Sequence, residues 1–404
     1  MKNTPFFQKK LREINHIVKN QYKDLTEVGV IAGISGLALF QYYYSKYLDV
    51  DEHGDFGSKM LSYSIEKINS GYSTPTFSSG IAGLGWTIQH LDNRDFIDVD
   101  CDNLLSHFDQ YLYDHMISDF SNGNYDFLHG ALGYGFYFLC RYRSTEDIDL
   151  KNRYQSYLLE SVTSLKNLSI SKEGIIKWES ILDIEKRNKG FNLSLSHGIS
   201  SILNYLSRIY EIGIERKETR RLIQGGINFI LSFENKNARK TALFPSWIEN
   251  NKALEYNGRV AWCYGDLGIG ISLLRAATSI ADRQLQLDTL EILYHTTTRK
   301  LPSQTLVNDA GICHGSYGNA LIYHRLFQES KNNLFKKSLD FWIEDGIKKA
   351  IHKDGYAGYK HWYPSKNSWS SELTLLEGIA GIGLVIIDFL SSEPNDWDEC
   401  LLIS

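Results

Sequence analysis

Gly33-Ile-Ser-Gly36, Gly80-Ile-Ala-Gly83, Gly130-Ala-Leu-Gly133, Gly198-Ile-Ser-Ser201, Gly265-Asp-Leu-Gly268, Gly315-Ser-Tyr-Gly318 and Gly378-Ile-Ala-Gly381 are seven copies of one signature. Each is a glycine, two intervening residues and, in all but the Ser201 copy, a second glycine. The first glycines stand 47, 50, 68, 67, 50 and 63 residues apart. Each interval holds two helices and their loops, which is the arithmetic of a repeat architecture. Apolar runs follow the glycines: Leu37 to Tyr44, Leu132 to Cys140, Ile199 to Ile209, Leu267 to Ala277 and Ile379 to Leu390. Between them lie charged stretches with helical periodicity, such as Phe7 to Val18, Lys59 to Ile68, Lys217 to Phe233, Gln284 to Tyr294 and Leu334 to Ile351. Seven apolar helices alternating with seven amphipathic ones predict an all-α fold, an α/α toroid of seven inner and seven outer helices. Only six prolines interrupt the 404 residues, so long helices meet few breakers.

Composition narrows the function. At 43% hydrophobic and 23% charged residues the chain is globular, not disordered. A formal net charge of −5 gives no basic surplus for nucleic acid. Five cysteines (Cys101, Cys140, Cys263, Cys313 and Cys400) make too sparse and odd a set for a disulfide framework. The first residues carry Lys and Arg without an apolar core or cleavage site, so no secretory signal is read and the protein is expected in the cytoplasm with reduced thiols. Val28 to Ser45 is 18 residues without a charge and contains a Gly29/Gly33 spacing. A membrane span would have this look, but the pattern returns in six shorter, polar-flanked copies, so a buried inner helix is expected.

The repeat also predicts where chemistry should gather. Inner helices of an α/α barrel run in one direction, so the glycine signatures would place seven helix N-termini at one mouth. N–H groups and the positive end of the helix dipole there favour thiolates, carboxylates and developing enolates. Four copies carry reactive residues just ahead of the glycine. They read Tyr125-Asp126-Phe-Leu-His129-Gly130, Ser196-His197-Gly198, Arg259-Val-Ala-Trp262-Cys263-Tyr264-Gly265 and Cys313-His314-Gly315. Ala32, Ser79 and Glu377 occupy the place in the other three.

Cys263, Cys313 and His314 make a Cys2His set, which suits zinc with a fourth position open to water or substrate. The plain alternative is buried cysteine in a core. His197 reads either as a core histidine or, by its register with the trio, as an acid/base. Asp126 is a carboxylate that orients an imidazole or a cap; His129 competes with it for position. Trp262 reads as core, and Tyr264 as a proton donor or a wall of the pocket. No phosphate loop, HExxH, GxSxG or dinucleotide fingerprint occurs. The basic groups Lys9-Lys10-Leu-Arg12, Arg216-Lys217 and Arg220-Arg221 read as solvated helix faces, or else as a dock for an acidic peptide.

These strings resemble the lanthionine synthetase C-like family, the lantibiotic cyclases. The resemblance rests on Ser196-His197-Gly198, on Arg259 with Trp262-Cys263-Tyr264-Gly265, on Cys313-His314-Gly315 and on Leu376-Glu377-Gly378. Ser201 departs from the second glycine many relatives have. The resemblance implies a single toroid domain over residues 1–404, with a small lobe inserted in the first half in some members. It implies Zn2+ on Cys263, Cys313 and His314, and active-site roles for Asp126, His197, Arg259 and Tyr264. The implied reaction is Michael addition of peptide Cys thiols to dehydroalanine or dehydrobutyrine, giving (methyl)lanthionine thioether rings. The implied partners are a dehydrated precursor peptide with its leader, and a dehydratase and exporter complex at the inner membrane face, through which the protein would be peripherally membrane-associated. Related proteins that bind or add glutathione, without antibiotic biosynthesis, share the zinc trio and form the alternative.

Overall fold

The structure is a computed structural model, and it describes residues 3–183, 188–250, 252–253, 255–391 and 395–404. In chain order the helices are α1 (Thr4–Gln21), α2 (Ile34–Leu48), α3 (Asp51–Asn69), α4 (Ile81–Asp92), α5 (Cys101–Ser121), α6 (Ala131–Ser144), α7 (Ile148–Leu168), α8 (Ile199–Glu211), α9 (Arg216–Leu231), α10 (Asp266–Ser279), α11 (Arg283–Thr296), the single turn α12 (Pro302–Thr305), α13 (Ser316–Ser330), α14 (Asn333–Lys348) and α15 (Ile379–Leu390). Every signature glycine immediately precedes a helix or is its cap: α2, α4, α6, α8, α10, α13 and α15 begin at the residue after it. These seven are buried along almost their whole length, whereas the helices between them bury one stripe, as Phe7, Leu11, Ile14 and Val18 do on α1.

The chain forms two compact units, residues 1–112 with 308–404 and residues 113–307. In the first unit the loops that open α2, α4, α13 and α15 are stitched side by side through the backbone. Gly29 N–H donates to the Ser79 carbonyl, Leu376 N–H to Ile31, and Ile312 and Cys313 N–H to Leu376. In the second unit Leu195 N–H donates to the Cys263 carbonyl at 3.1 Å, which joins the openings of α8 and α10 in the same way. Val28 to Ser45 is accordingly not a span. Its helical part is the buried start of α2, and no described helix is long and apolar enough to cross a membrane.

The glycines are required by packing more than by backbone conformation. Six of them are extended, with φ between −108° and −151°. The preceding loop folds back so tightly that a Cβ at Gly80 would overlap the Thr74 carbonyl, and one at Gly198 the Asn192 carbonyl. Gly265 is the exception: φ is +139°, a region other residues rarely enter. The fold-back also satisfies the helix ends. The first N–H of α2, α4, α6, α13 and α15 donates to the carbonyl seven residues earlier: Glu27, Thr74, Asn124, Asp309 and Glu372. No side-chain cap is used at any of the seven starts.

Short strands, absent from the sequence reading, decorate the helices. In the second unit β1 (Ser169–Lys172) and β2 (Ile175–Trp178) form a hairpin, and β3 (Ser180–Asp183), β4 (Asn188–Asn192), β5 (Trp247–Glu249) and β6 (Lys252–Ala253) form a four-stranded antiparallel sheet in that order. The two-residue β1–β2 turn has positive φ at both Glu173 and Gly174, the geometry that suits a tight hairpin. Ile176 of β2 lies so close to Gly225 of α9 that a Cβ there would overlap it, and Trp178 packs near Gly226. Close approach explains two mid-helix glycines that would otherwise each cost about 1 kcal/mol. In the first unit β7 (His361–Tyr363) pairs with β8 (Ser368–Ser370). Strands of two to five residues leave no alternation long enough to compete with the helical pattern around them.

Candidate functional site

Asp126 lies in the loop ahead of α6, and His197 immediately ahead of the cap of α8. The structure joins them: His197 Nδ1 is 2.6 Å from Asp126 Oδ2. The other oxygen, Oδ1, accepts the N–H groups of Leu128 and His129, each at 2.8 Å. This carboxylate is not a helix cap, since α6 starts at Ala131 with no side-chain cap; one oxygen closes the turn ahead of the helix and the other meets the imidazole. With Nδ1 facing a carboxylate, the proton resides there, and Nε2 is the nitrogen left for chemistry.

The charges follow from this contact. Burial alone would push the Asp126 carboxyl up, but the hydrogen bond and charge of His197, with the backbone N–H of His129, hold it below its ordinary range. Burial would likewise push His197 down, yet Asp126 and, more weakly, Cys263 raise it. His129, the competitor, is exposed; its ring stacks on His197 with centroids 5.8 Å apart.

Tyr264 and Trp247 complete this side. The Tyr264 hydroxyl accepts from the Asn192 side chain at 3.3 Å, and its ring lies 5.2 Å from Trp247 and 6.1 Å from His197. Burial pushes its phenol up to about 12, so it stays protonated at neutral pH. A crevice of about 410 Å³ opens over Asp126, His197, Tyr264, Asn192 and Trp247, rimmed by Glu179, between β2 and β3, and by Lys189 of β4. Cys263 is 5% exposed, ahead of the N-terminus of α10. Arg259 is half-buried and, among the described residues, its guanidinium makes no hydrogen bond or ion pair. Its loop is held by Arg299, which is buried, pairs with Asp266 at 2.9 Å and donates to the carbonyls of Gly258 and Gln304. Trp262 is fully buried core, as expected.

The first unit supplies the second pair of expected residues. Cys313 and His314 are adjacent in the loop that opens α13; Cys313 is partly accessible and His314 is 6% exposed. Beside His314 stand two groups that the sequence reading passed over, Asp309 and His361. His314 Nε2 lies 3.3 Å from Asp309 Oδ2, and His361 Nδ1 lies 3.1 Å from the same oxygen. The ligating atoms of all three fall within 4.8 Å of one another. The two imidazoles hold the buried Asp309 carboxyl far below its usual range, against the opposing effect of burial. Asp309 had one sequence signal, its place six residues ahead of Gly315, the offset that Arg259 holds from Gly265. His361 had none, because a β-hairpin brings it back.

The basic groups are not simply solvated faces. The Lys10 ammonium is buried against Glu13 and the Ala357 carbonyl, Arg220 donates to the Ile280 carbonyl, and Arg221 pairs with Glu218.

The chain is similar to known proteins in sequence and in fold. The chain is 24% identical over 371 residues to the nisin biosynthesis protein NisC of Lactococcus lactis subsp. lactis, covering 85% of this chain and 81% of that protein. Its structure superposes on that of nisin cyclase with a TM-score of 0.78 at 18% identity, covering 98% of this chain and 97% of the other. That likeness shows the fold, the all-α, α/α-toroid class. Residues 24–402 match the family of lanthionine synthetase C-like proteins. The chain belongs to the lanthionine synthetase C-like family.

Proposed function

We propose that this protein is a zinc-dependent lanthipeptide cyclase, which adds peptide Cys thiols to dehydroalanine or dehydrobutyrine and so closes (methyl)lanthionine rings. The carrying observation is the Asp126–His197 pair at the crevice, a carboxylate-oriented imidazole beside a protonated phenol. The donor set fits zinc by its chemistry: two thiols, Cys263 and Cys313, with the imidazole of His314, whose Nε2 is engaged by a carboxylate as outer partners of metal-bound histidines commonly are. When bound, zinc would supply the acidity that ionises a substrate thiol near neutral pH.

The chain's own residues account for the rest of the reaction. As the C–S bond forms at the β-carbon, the π electrons of the dehydro residue move toward its carbonyl, giving an enolate. Arg259, half-buried and without an ion pair among the described residues, is the cation that would meet that charge. His197, held by Asp126, accepts a proton at Nε2 and returns one to the α-carbon. Tyr264 stays protonated, so its hydroxyl can donate a hydrogen bond to the bound peptide in the same crevice. The substrate is a dehydrated precursor peptide with its leader. The working partners are a dehydratase and an exporter at the inner membrane face, with the cyclase in the cytoplasm. Arg12 and Lys217 remain as surface cations for an acidic leader, since Lys9, Lys10, Arg216, Arg220 and Arg221 are engaged elsewhere.

The test is ring closure on a dehydrated precursor, read as loss of alkylatable thiols, with metal measured on the same sample. About one zinc per chain and enzyme-dependent thioether of a single stereochemistry are expected. A metal-free wild type, or addition of free glutathione alone without ring closure, would overturn the reading.

A further inference from the structure

Resting on the zinc reading above, we propose that Asp309 is a positioning residue for His314, fixing its imidazole as the Nε2–H tautomer and so leaving Nδ1 as the one nitrogen able to bind a metal. His314 Nε2 faces two acceptors, Asp309 Oδ2 at 3.3 Å and the Trp362 carbonyl at 3.2 Å. A ring nitrogen that meets two acceptors carries the proton.

Asp309 is itself held by donors on both oxygens. Oδ1 accepts the Gly311 N–H at 3.0 Å, Oδ2 accepts the Trp362 N–H at 3.0 Å, and His361 Nδ1 approaches Oδ2 at 3.1 Å. The carboxylate cannot swing away without leaving these donors in a site where it is only 1% exposed. Trp362 contributes twice, donating its N–H to Asp309 and accepting the His314 Nε2–H on its carbonyl. The β7–β8 pairing of Trp362 with Trp369 fixes where that carbonyl sits. His361 closes the far side, 2% exposed, its ring 4.8 Å from that of His314, with Nε2 turned to Glu377 at 3.7 Å.

Asp309, His314 and His361 would also pass as a two-histidine, one-carboxylate metal seat. The Trp362 carbonyl argues for the positioning role, because it faces the same Nε2 lone pair that such a seat would need and calls for a proton there instead.

Three measurements decide it. In metal-free wild type with 15N-labelled histidine, long-range 1H–15N correlation at neutral pH should show His314 as Nε2–H; an Nδ1–H tautomer overturns the proposal. Zinc affinity, by competition with a chromophoric chelator, should fall roughly 10–100-fold in Asp309→Ala with helical circular dichroism retained, and less in Asp309→Asn, which keeps an acceptor oxygen. If the alanine variant does not fold, Asp309→Asn carries the test, and wild-type affinity in it overturns the proposal. His361→Ala should keep one zinc per chain; loss of metal as complete as in His314→Ala would make Asp309 a ligand and overturn it. A wild type that binds no zinc defeats the cyclase reading instead, while the tautomer measurement still decides the role of Asp309.

Discussion

Asp126 and His197 are 71 residues apart in sequence and 2.6 Å apart in space, joined from the openings of two different buried helices. The carboxyl is held below its ordinary 3.8 and the imidazole above its ordinary 6.5. The imidazole's contribution to stability is complete below 6.5 and is lost as pH rises through its raised folded value. The carboxylate's contribution is complete above 3.8 and is lost as pH falls through its depressed folded value. Both are present together between those two values. Asp126→Asn should therefore cost about 1.5–3 kcal/mol near pH 5.5 and progressively less in alkaline buffer. Urea denaturation of both proteins across pH measures this; a gap that widens toward pH 9 contradicts the pairing.

His197 and His314 should separate proton handling from metal binding. His197→Asn is expected to keep zinc and to slow ring closure by roughly 10²–10⁴-fold. His314→Asn should lose both. Metal analysis and thiol alkylation on the same preparations check this, with thioether stereochemistry followed because dehydrated peptides also cyclise slowly unaided. Zinc loss from the His197 variant would make that imidazole a ligand.

Arg259 makes a contrast with the buried Arg299 that supports its loop. With no ion pair among the described residues, Arg259→Ala should change stability by no more than about 0.5 kcal/mol. Ring closure should nevertheless fall, chiefly in kcat, if the guanidinium meets charge that develops only in the reaction. Arg299→Ala should instead unfold more easily, since Asp266 is left buried without its cation. Thermal melts beside steady-state kinetics distinguish the two.

Gly80 opens a helix with no reactive residue ahead of it. Gly80→Ala places a methyl group onto the Thr74 carbonyl, and should destabilise by about 1–3 kcal/mol while leaving metal content unchanged. A melting temperature equal to wild type would show that the loop relaxes freely.

The seven glycine signatures were enough to place the seven buried helices, because each copy couples a tight loop to an apolar run and the period repeats. Asp126 and His197 were legible as candidates, since both stand at fixed offsets from a glycine. Their contact was not, because nothing local says that one carboxylate oxygen serves the turn while the other reaches an imidazole from another repeat. The hairpins were missed for want of length. With them went His361 and Trp362, whose approach to His314 depends on a chain reversal that no helical period encodes. Lys10 and Arg220 read as surface charge because a long aliphatic stem hides where its head ends.

Five of the seven buried helices start on carbonyls of their own loops, and none of the seven on a capping side chain. The slot ahead of each glycine is thereby relieved of any duty to the helix behind it. Alanine, serine, histidine, tyrosine and glutamate all occupy it here, at Ala32, Ser79, His129, His197, Tyr264, His314 and Glu377. The scaffold behaves as a socket board. What is plugged into each position sets the reactivity, and exchanging the plug should leave the board standing.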